Sequence, residues 1–400
     1  MARLLLLSNG HGEDLSGALL GQVLKAQGHN VEALPLVGRG NPYSDATIPL
    51  VGRTREFSTG GLGYTTLRGR LTELVQGQVI YLLRRLLRLI RIAGRYDLVV
   101  VIGDVIPVMA AWLCQRPVAT YLVAYSSHYE GRLRLPWPCG SCLRSQRFQA
   151  VFSRDALTAQ DLSEQLKREV VFVGNPFMDS VLSPSNRLPY AKRRLGLLPG
   201  SRRPELEHNL LLLLGVIDQI PISQPSPGDL EIDLALVGAL GDDHLNTLAQ
   251  SHGWSLVLGH GNAPARLEKG GRQIQVRRKG FTSVLLSSDL LLCMAGTAAE
   301  QAVGMAKPVL QLPGQGPQFT AGFAEAQRRL LGPTVFCAAS PYEGKELLKA
   351  TANLAIELLE RSVNDPALRR DCREQAMQRL GPQGGGSKMA GLISGLLQKS

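Results

Sequence analysis

Two unbroken apolar runs, Leu98–Ile102 and Val118–Val123, constrain what this chain can fold into more than any other feature. A strand with one wet face alternates apolar and polar residues, whereas a run without alternation is buried on both faces, as parallel strands between helical layers are. Around these runs one unit recurs: a short strand, a glycine turn and a helix. Leu4–Leu7 predicts a strand, Ser8-Asn9-Gly10-His11-Gly12 a turn, Glu13 to Gln27 a helix and Val31–Leu36 a second strand. Val151–Ser153 and Val170–Val173 continue the series, with a helix from Asp155 to Lys167 between them.

The series stops at a stretch rich in proline, serine and asparagine, Ser183 to Pro189, which reads as a linker. It restarts at Arg194, and later strands are expected at Ile232–Val237, Ser255–Leu258, Ile274–Val276, Leu290–Cys293 and Pro308–Leu312. Residues 222–228, with two prolines and a glycine, read as an exposed loop. A final helical stretch, Ala367–Lys399, is broken at Gly384-Gly385-Gly386. Two blocks of alternating strands and helices mean an α/β chain of two doubly wound, Rossmann-like domains, a division that 400 residues accommodate. The expected domains are residues 1–185 and 190–365, followed by a C-terminal helical segment, 366–400. Ligands are then expected at the carboxyl ends of the strands, facing a cleft between the domains.

Charge narrows the partners. The balance of 44 Lys+Arg against 33 Asp+Glu gives a net charge of +11 and favours an anionic partner. Nucleic acid is excluded, because the basic residues are dispersed and aromatics at 5% leave few stacking platforms. Six cysteines are too few for a disulfide scaffold and suit a reducing cytoplasm. Cys139-Gly-Ser-Cys142 stands without a second pair, so no metal site is expected. The Met1 to Leu7 run enters its turn too early for a signal peptide and reads as a first buried strand.

Four segments carry candidate chemistry. Leu197-Leu198-Pro199-Gly200-Ser201-Arg202 follows a strand and precedes a helix beginning near Pro204. Such a turn lets backbone N–H groups and a helix N-terminus meet a phosphate, and Arg202 adds a forked cation; it also reads as an ordinary strand–helix turn. Gly296, Thr297, Glu300 and Gln301 occupy a second turn of this kind, although Thr297 and Glu300 also have the form of a capping box. At the start of the chain, Gly10, His11, Gly12, Glu13 and Asp14 place a histidine and two carboxylates at a helix N-terminus. The pattern is not GxGxxG, so a dinucleotide is not expected, and a general base is. Asp104 ends its strand at the same edge of the sheet, as a turn cap or a second candidate base.

Val79 to Ala93 predicts a basic amphipathic helix. Arg84, Arg88, Arg91 and Arg95 share one face, with Arg85 beside them, and Val79, Leu83, Leu86, Leu87 and Ile90 line the other. No acid falls between Leu74 and Tyr96. The composition suits an anionic membrane interface, and equally a domain helix with its arginines in water.

From Ser8 to Leu312 the chain resembles the lipid-A-disaccharide synthase family. Leu197–Arg202 looks like that family's LLPGSR segment, Val173-Gly174-Asn175-Pro176 like its VGHP element, Glu13 to Ala18 like its first loop, and Gly296-Thr297-Ala298 like its SGTA. Asp104 with Pro107 falls at the family's aspartate–proline segment. The chain departs from the pattern at Gln301, where a ribose-binding glutamate is usual, with Glu300 beside it, and at Tyr125–Tyr129, which lacks a tryptophan-rich pattern. His11 is similar to the first-loop histidine of the related N-acetylglucosaminyltransferase that builds peptidoglycan lipid.

The resemblance implies a GT-B fold and an inverting, metal-independent glycosyltransferase. Its substrate would be a UDP-sugar, with no further cofactor, and the sugar an amino sugar, acylated or not. The acceptor would be a lipid or glycolipid, placing the chain in lipid A biosynthesis. The nucleotide sugar would lie on Gly200, Ser201, Arg202, Gly296, Thr297, Glu300 and Gln301, and the acceptor near Gly10, Gly12 and Asn175. Asp104, His11, Glu13 and Asp14 would share the proton transfer. Such an enzyme would be cytoplasmic, held peripherally on the inner face of the membrane, with a second copy of the chain as a further candidate partner. The alternatives are a nucleotide-sugar 2-epimerase and a non-catalytic nucleotide-sugar-binding protein.

Overall fold

The computed structural model describes residues 1–52, 54, 78–129, 131–181, 187–189, 191–201, 203–221, 230–236, 240–259, 261, 263–314, 321–338 and 343–398. Residues 183–186 of the expected linker, the expected loop 222–228, Val237 and Arg202 lie outside the described residues. The chain forms two compact units, residues 1–180 with 381–400, and residues 181–380.

The first unit is built on five strands: β1 (Arg3–Ser8), β2 (Asn30–Pro35), β3 (Leu98–Ile102), β4 (Val118–Leu122) and β5 (Phe148–Ser153). They lie in the order β2-β1-β3-β4-β5, and every pairing is parallel. The unbroken apolar runs are there because both faces are covered. Leu5 and Leu7 pack against α3 (Gln78–Ala93), α4 (Val105–Leu113), α5 (Cys139–Arg144) and α6 (Ala156–Leu166). Leu4 and Leu6 point the other way, against α1 (His11–Ala26), α2 (Asn41–Asp45) and a C-terminal helix at 385–398.

The second unit holds β6 (Arg193–Leu198), β7 (Leu230–Leu236), β8 (Ser255–Val257), β9 (Arg266–Lys269), β10 (Arg272–Arg278), β11 (Leu290–Cys293), β12 (Val309–Gln311) and β13 (Val335–Cys337). Their order is β13-β12-β11-β6-β7-β10-β9-β8, parallel throughout except where β9 pairs with its two neighbours. β9 and β13 escape sequence reading because one is polar and the other only three residues long. α7 (Phe177–Val181) leads into this unit, whose helices are α8 (Glu205–Gln219), α9 (Asp242–Gln250), α10 (Phe281–Ser287), α11 (Gly296–Gly304), α12 (Ala321–Leu331), α13 (Gly344–Asn364) and α14 (Pro366–Arg379).

Two expectations change. Val170–Val173 is not a strand: Val171 makes one bridge to Phe152, and the chain then turns at Gly174. The C-terminal stretch 366–400 is not a segment of its own. α14 belongs to the second unit, and α15 (Gly385–Gln398) packs in the first against α1.

One polar feature sits inside the second sheet. Asp233 on β7 is fully buried and paired to Arg194 on β6 and to Arg277 on β10, the latter at 2.6 Å. A buried carboxylate is tolerable only with such partners. Asp233→Ala should therefore destabilise the second unit by about 3–5 kcal/mol, because it leaves buried guanidinium charge unpaired. Denaturant titration followed by the emission of Trp254, which is buried in this unit's core, will show the transition moving to lower denaturant.

Candidate functional site

A doubly wound sheet binds ligands outside the carboxyl ends of its strands, where the strand order reverses. In the first sheet that point lies between β1 and β3, because the chain leaves β1 for β2 on one side and returns to β3 on the other. The turn after β1 carries Gly10 and runs into the first turn of α1 with His11, Gly12, Glu13 and Asp14, and the loop after β3 carries Asp104. The topology thus brings these two sequence-distant sets together. His11 opens α1, but its side chain lies outside the described residues.

Asn9 joins the two loops. Its backbone N–H donates to Glu13 Oε2 at 2.8 Å and its side-chain amide to Asp104 Oδ2 at 3.2 Å. Asp104 also caps α4, with Oδ1 accepting the Ile106 N–H at 2.9 Å, while the Tyr125 hydroxyl accepts the Val105 N–H at 2.9 Å. Capping therefore uses one carboxylate oxygen and leaves the other turned to the Asn9 side. Gly103 makes the approach feasible: at φ 146° it carries no side chain, and a Cβ there would lie 2.4 Å from Glu13 Oε2. Asp14 lies deeper, receiving a hydrogen bond from Ser8 Oγ at 2.6 Å, and Ser8 receives one from the Tyr43 hydroxyl at 2.8 Å.

Burial drives the electrostatics. It pushes the Glu13 carboxyl well above its ordinary value, and the neighbouring Asp104 charge adds to the shift. Asp14 rises to about 6 through burial, opposed by the Ser8 hydrogen bond. Burial also raises Asp104, against the lowering effect of the Ile106 N–H and the Asn9 amide. Carboxyls crowded in this way hold and release protons as a set, closer to neutral pH than free carboxylates do.

The second sheet reverses between β6 and β11, and here too the loops meet. The turn after β6 holds Gly200 and the exposed Ser201 and leads to α8; the turn after β11 leads directly to α11. Asn209, fully buried on α8, ties the two turns by donating to the Pro199 carbonyl at 2.8 Å and the Met294 carbonyl at 3.4 Å. Gly200, at φ 99°, passes close to Met294 and Ala295. The turns that lead to two helix N-termini thus lie beside each other at the ends of adjacent strands. Gly296, Thr297, Glu300 and Gln301 all lie in the first turns of α11. The capping box does not form: the N-cap is Ala295, without a side-chain cap, and Thr297 is exposed within the helix.

Asn175 lies at the start of α7. It is fully buried, and its Oδ1 accepts the Phe177 N–H at 3.0 Å, so it does structural work there. The buried Cys139 and Cys142 belong to the core beneath α5, and burial pushes the Cys139 thiol up to about 12. Asn9 and Asn209 received no role from the sequence. Asn209 was legible in principle, as a polar residue aligned with Leu206 and Leu213 on the apolar face of its helix. Tyr43 carried no signal.

The basic helix differs from its expected form. Arg85 is buried, donating to the carbonyls of Val51 at 3.1 Å and Pro35 at 2.5 Å. Leu89 and Ala93 face the core, so Ile80, Leu83, Leu87 and Ile90 form a second apolar stripe that is 45–58% exposed. The exposed Arg84, Arg88 and Arg91 flank that stripe. No helix among the described residues is long and apolar enough to cross a membrane.

No protein-family model matches the sequence, and no curated protein matches it. The structure is similar to the calicheamicin glycosyltransferase, at 16% identity and TM-score 0.59, over 100% of this chain and 99% of that one. It is also similar to the UDP-GlcNAc 2-epimerase from Neisseria meningitidis bound to UDP-GlcNAc, at 14% identity and TM-score 0.51, over 100% of both chains. A third is the spinosyn rhamnosyltransferase complexed with thymidine diphosphate, at 16% identity and TM-score 0.51, over 98% of this chain and 99% of that one. These likenesses establish an α/β fold of the GT-B type.

The carboxyl cluster predicts a stability profile. Asp14 holds its proton up to about pH 6 when folded and only to about 3.8 when unfolded, so its contribution falls as pH rises through that window. Asp14→Asn should flatten the decline between these values while preserving the Ser8 contact. Urea midpoints measured across that pH range test this, and an unaltered slope would mean that Asp14 ionises as freely as in water.

Proposed function

We propose that the chain is an inverting, metal-independent glycosyltransferase that moves an amino sugar from a UDP-sugar to a lipid-linked or glycolipid acceptor. One observation carries the reading: the turns that lead from β6 towards α8 and from β11 into α11 lie side by side at the reversal point of the second sheet, with Gly200 in the first and Asn209 holding the two together. Helix N-termini offer backbone N–H groups and positive potential to a diphosphate. Structures of similar fold that hold UDP-GlcNAc and thymidine diphosphate support the same ligand class.

The mechanism follows from the two clusters. Gly200 and Ser201 receive the diphosphate, Arg202 adds a forked cation, and Glu300 and Gln301 lie where the ribose would be bound. The acceptor hydroxyl loses its proton to Asp104, whose raised affinity for protons makes it a better base than a free carboxylate. Glu13 and Asp104, both held by Asn9 N–H groups, influence each other's ionisation through their charges, and His11 positions the acceptor. The sugar C1 passes through an oxocarbenium-like state, and the helix N-termini with Arg202 stabilise the departing UDP. The exposed stripe of α3 and its arginines support a peripheral seat on an anionic membrane, where a lipid acceptor would be met. A place in lipid A biosynthesis belongs to the same reading.

Incubation with radiolabelled UDP-sugars and lipid extract tests the reaction. Formation of a glycolipid with release of UDP is expected; an altered UDP-sugar would make the chain an epimerase, and binding without turnover a non-catalytic protein. Three variants should separate the roles. Asp104→Asn should cut turnover by a factor of order 10²–10⁴ with UDP affinity nearly intact. Arg202→Ala should weaken UDP binding by about 1.5–3 kcal/mol in calorimetry. Changing Arg84, Arg88 and Arg91 together to Gln should release the protein from anionic vesicles, at about 1 kcal/mol per charge; a wild type that never pellets with vesicles would end the membrane reading.

A further inference from the structure

The first unit holds a cavity of about 740 Å³ that the reaction does not use, formed by the chain between β4 and β5 together with Gln165 and Leu166 at the end of α6. Arg132, Arg134 and Arg144 line it, together with Trp137, Ser141 and Gln165. The loop is firmly built. Asp161 on α6 accepts the Leu133 N–H at 2.6 Å, the Ser127 hydroxyl at 2.8 Å and the Gln165 amide at 2.7 Å. The Gln165 amide also donates to the Leu133 carbonyl at 2.9 Å, and Arg144 to the Gln165 carbonyl at 2.9 Å. Asp161 accepts these three neutral donors and also feels the charge of Arg132. Neither Arg132 nor Arg134 makes a hydrogen bond or an ion pair among the described residues.

Asp161 offsets part of the charge of Arg132, and the three guanidinium groups around one cavity still leave a positive potential that an anion would meet. Trp137, at the rim, is 89% exposed, so it contributes nothing to the core. An indole in water beside arginines suits a boundary between apolar and polar media. The surroundings are of that kind. α5 packs on α4, and Arg147 lies over the Trp112 ring at 5.5 Å. Exposed Ile106, Met109 and Trp112 of α4 and the exposed stripe of α3 belong to helices on the same face of the sheet.

We infer that this cavity binds the phosphate head group of an anionic membrane lipid, with Arg132 and Arg134 gripping the phosphate and Trp137 at the level of the glycerol. It rests on the membrane reading above only for the source of the ligand. A guanidinium pair matches phosphate oxygens in a forked, directional way that ammonium groups do not.

Monomeric dihexanoyl-phosphatidylglycerol tests the cavity without any membrane. In a Trp112→Phe background, Trp137 is the exposed fluorophore, since Trp254 is buried. A saturable shift of its emission is expected with the glycerol lipid, and little with dihexanoyl-phosphatidylcholine, whose head group is neutral overall. Arg132→Gln with Arg134→Gln should weaken that binding by about tenfold or more. Leu83→Gln with Leu87→Gln should leave it intact while abolishing attachment to phosphatidylglycerol vesicles. An absent shift, equal binding of the choline lipid, or saturation by inorganic phosphate at the same concentration would overturn the assignment. Failure of the wild type to attach to vesicles, with monomer binding intact, would instead count against the membrane seat alone.

Discussion

A glycine at positive φ, where a parallel strand turns into a helix, is what both candidate sites depend on. Gly103 is the sharper case. Its φ of 146° lies where L side chains rarely sit, and a Cβ would meet Glu13 Oε2 at 2.4 Å, well inside contact distance. Without that space the carboxylates of two loops, 90 residues apart in sequence, could not share one pocket beside Asn9. Gly200 plays a conformational part in the second unit: its φ of 99° favours glycine, while a Cβ there would meet Met294 and Ala295 only at ordinary contact distance. In each sheet the arrangement arises at the same place, the reversal of strand order, because only there do two strand ends open without a crossover connection covering them.

The two sites then diverge in electrostatic character. The first gathers acids and, by burying them, raises their hold on protons, so it is suited to moving a proton from a hydroxyl. The second presents helix N-termini and is suited to a diphosphate. Fixed polar groups hold each arrangement in place. Asn9 spans the acid-bearing segments of the first unit and Asn209 the turns after β6 and β11, each through hydrogen bonds of 2.8–3.4 Å. A side-chain amide serves well here because it donates, to two carbonyls in the case of Asn209 and to Asp104 in the case of Asn9, while carrying no charge that would alter the site's own field.

The C-terminal helix is fastened by a related device. Gly174 and Gly385 lie so close that a Cβ on Gly385 would fall 2.4 Å from the Gly174 carbonyl, and Asp179 receives the N–H groups of Gly384 and Gly386 at 2.9 and 2.8 Å. The Val173-Gly174-Asn175-Pro176 segment, which resembles a family element, is thereby a clasp for α15. Asn175 is buried in that clasp and caps α7.

The sequence alone determined the strand–turn–helix rhythm, the two-block α/β organisation and the glycine turns that hold the candidate residues. These features are local: apolar runs, glycines and helix starts act over a few residues and leave their mark in the order of the chain. It also placed the glycine break before α15, though not the unit that helix joins. Tertiary structure decided what depends on groups far apart in sequence. It brought Asp104 to Glu13 through Asn9, and it buried Arg85 while leaving Leu83 and Leu87 in water. It paired Asp233 with arginines from two other strands, and it gathered three arginines and Trp137 around one cavity. Helical periodicity gives the angle between two residues of a helix but not which angle faces the core, and no local pattern records the partner that a buried charge will find.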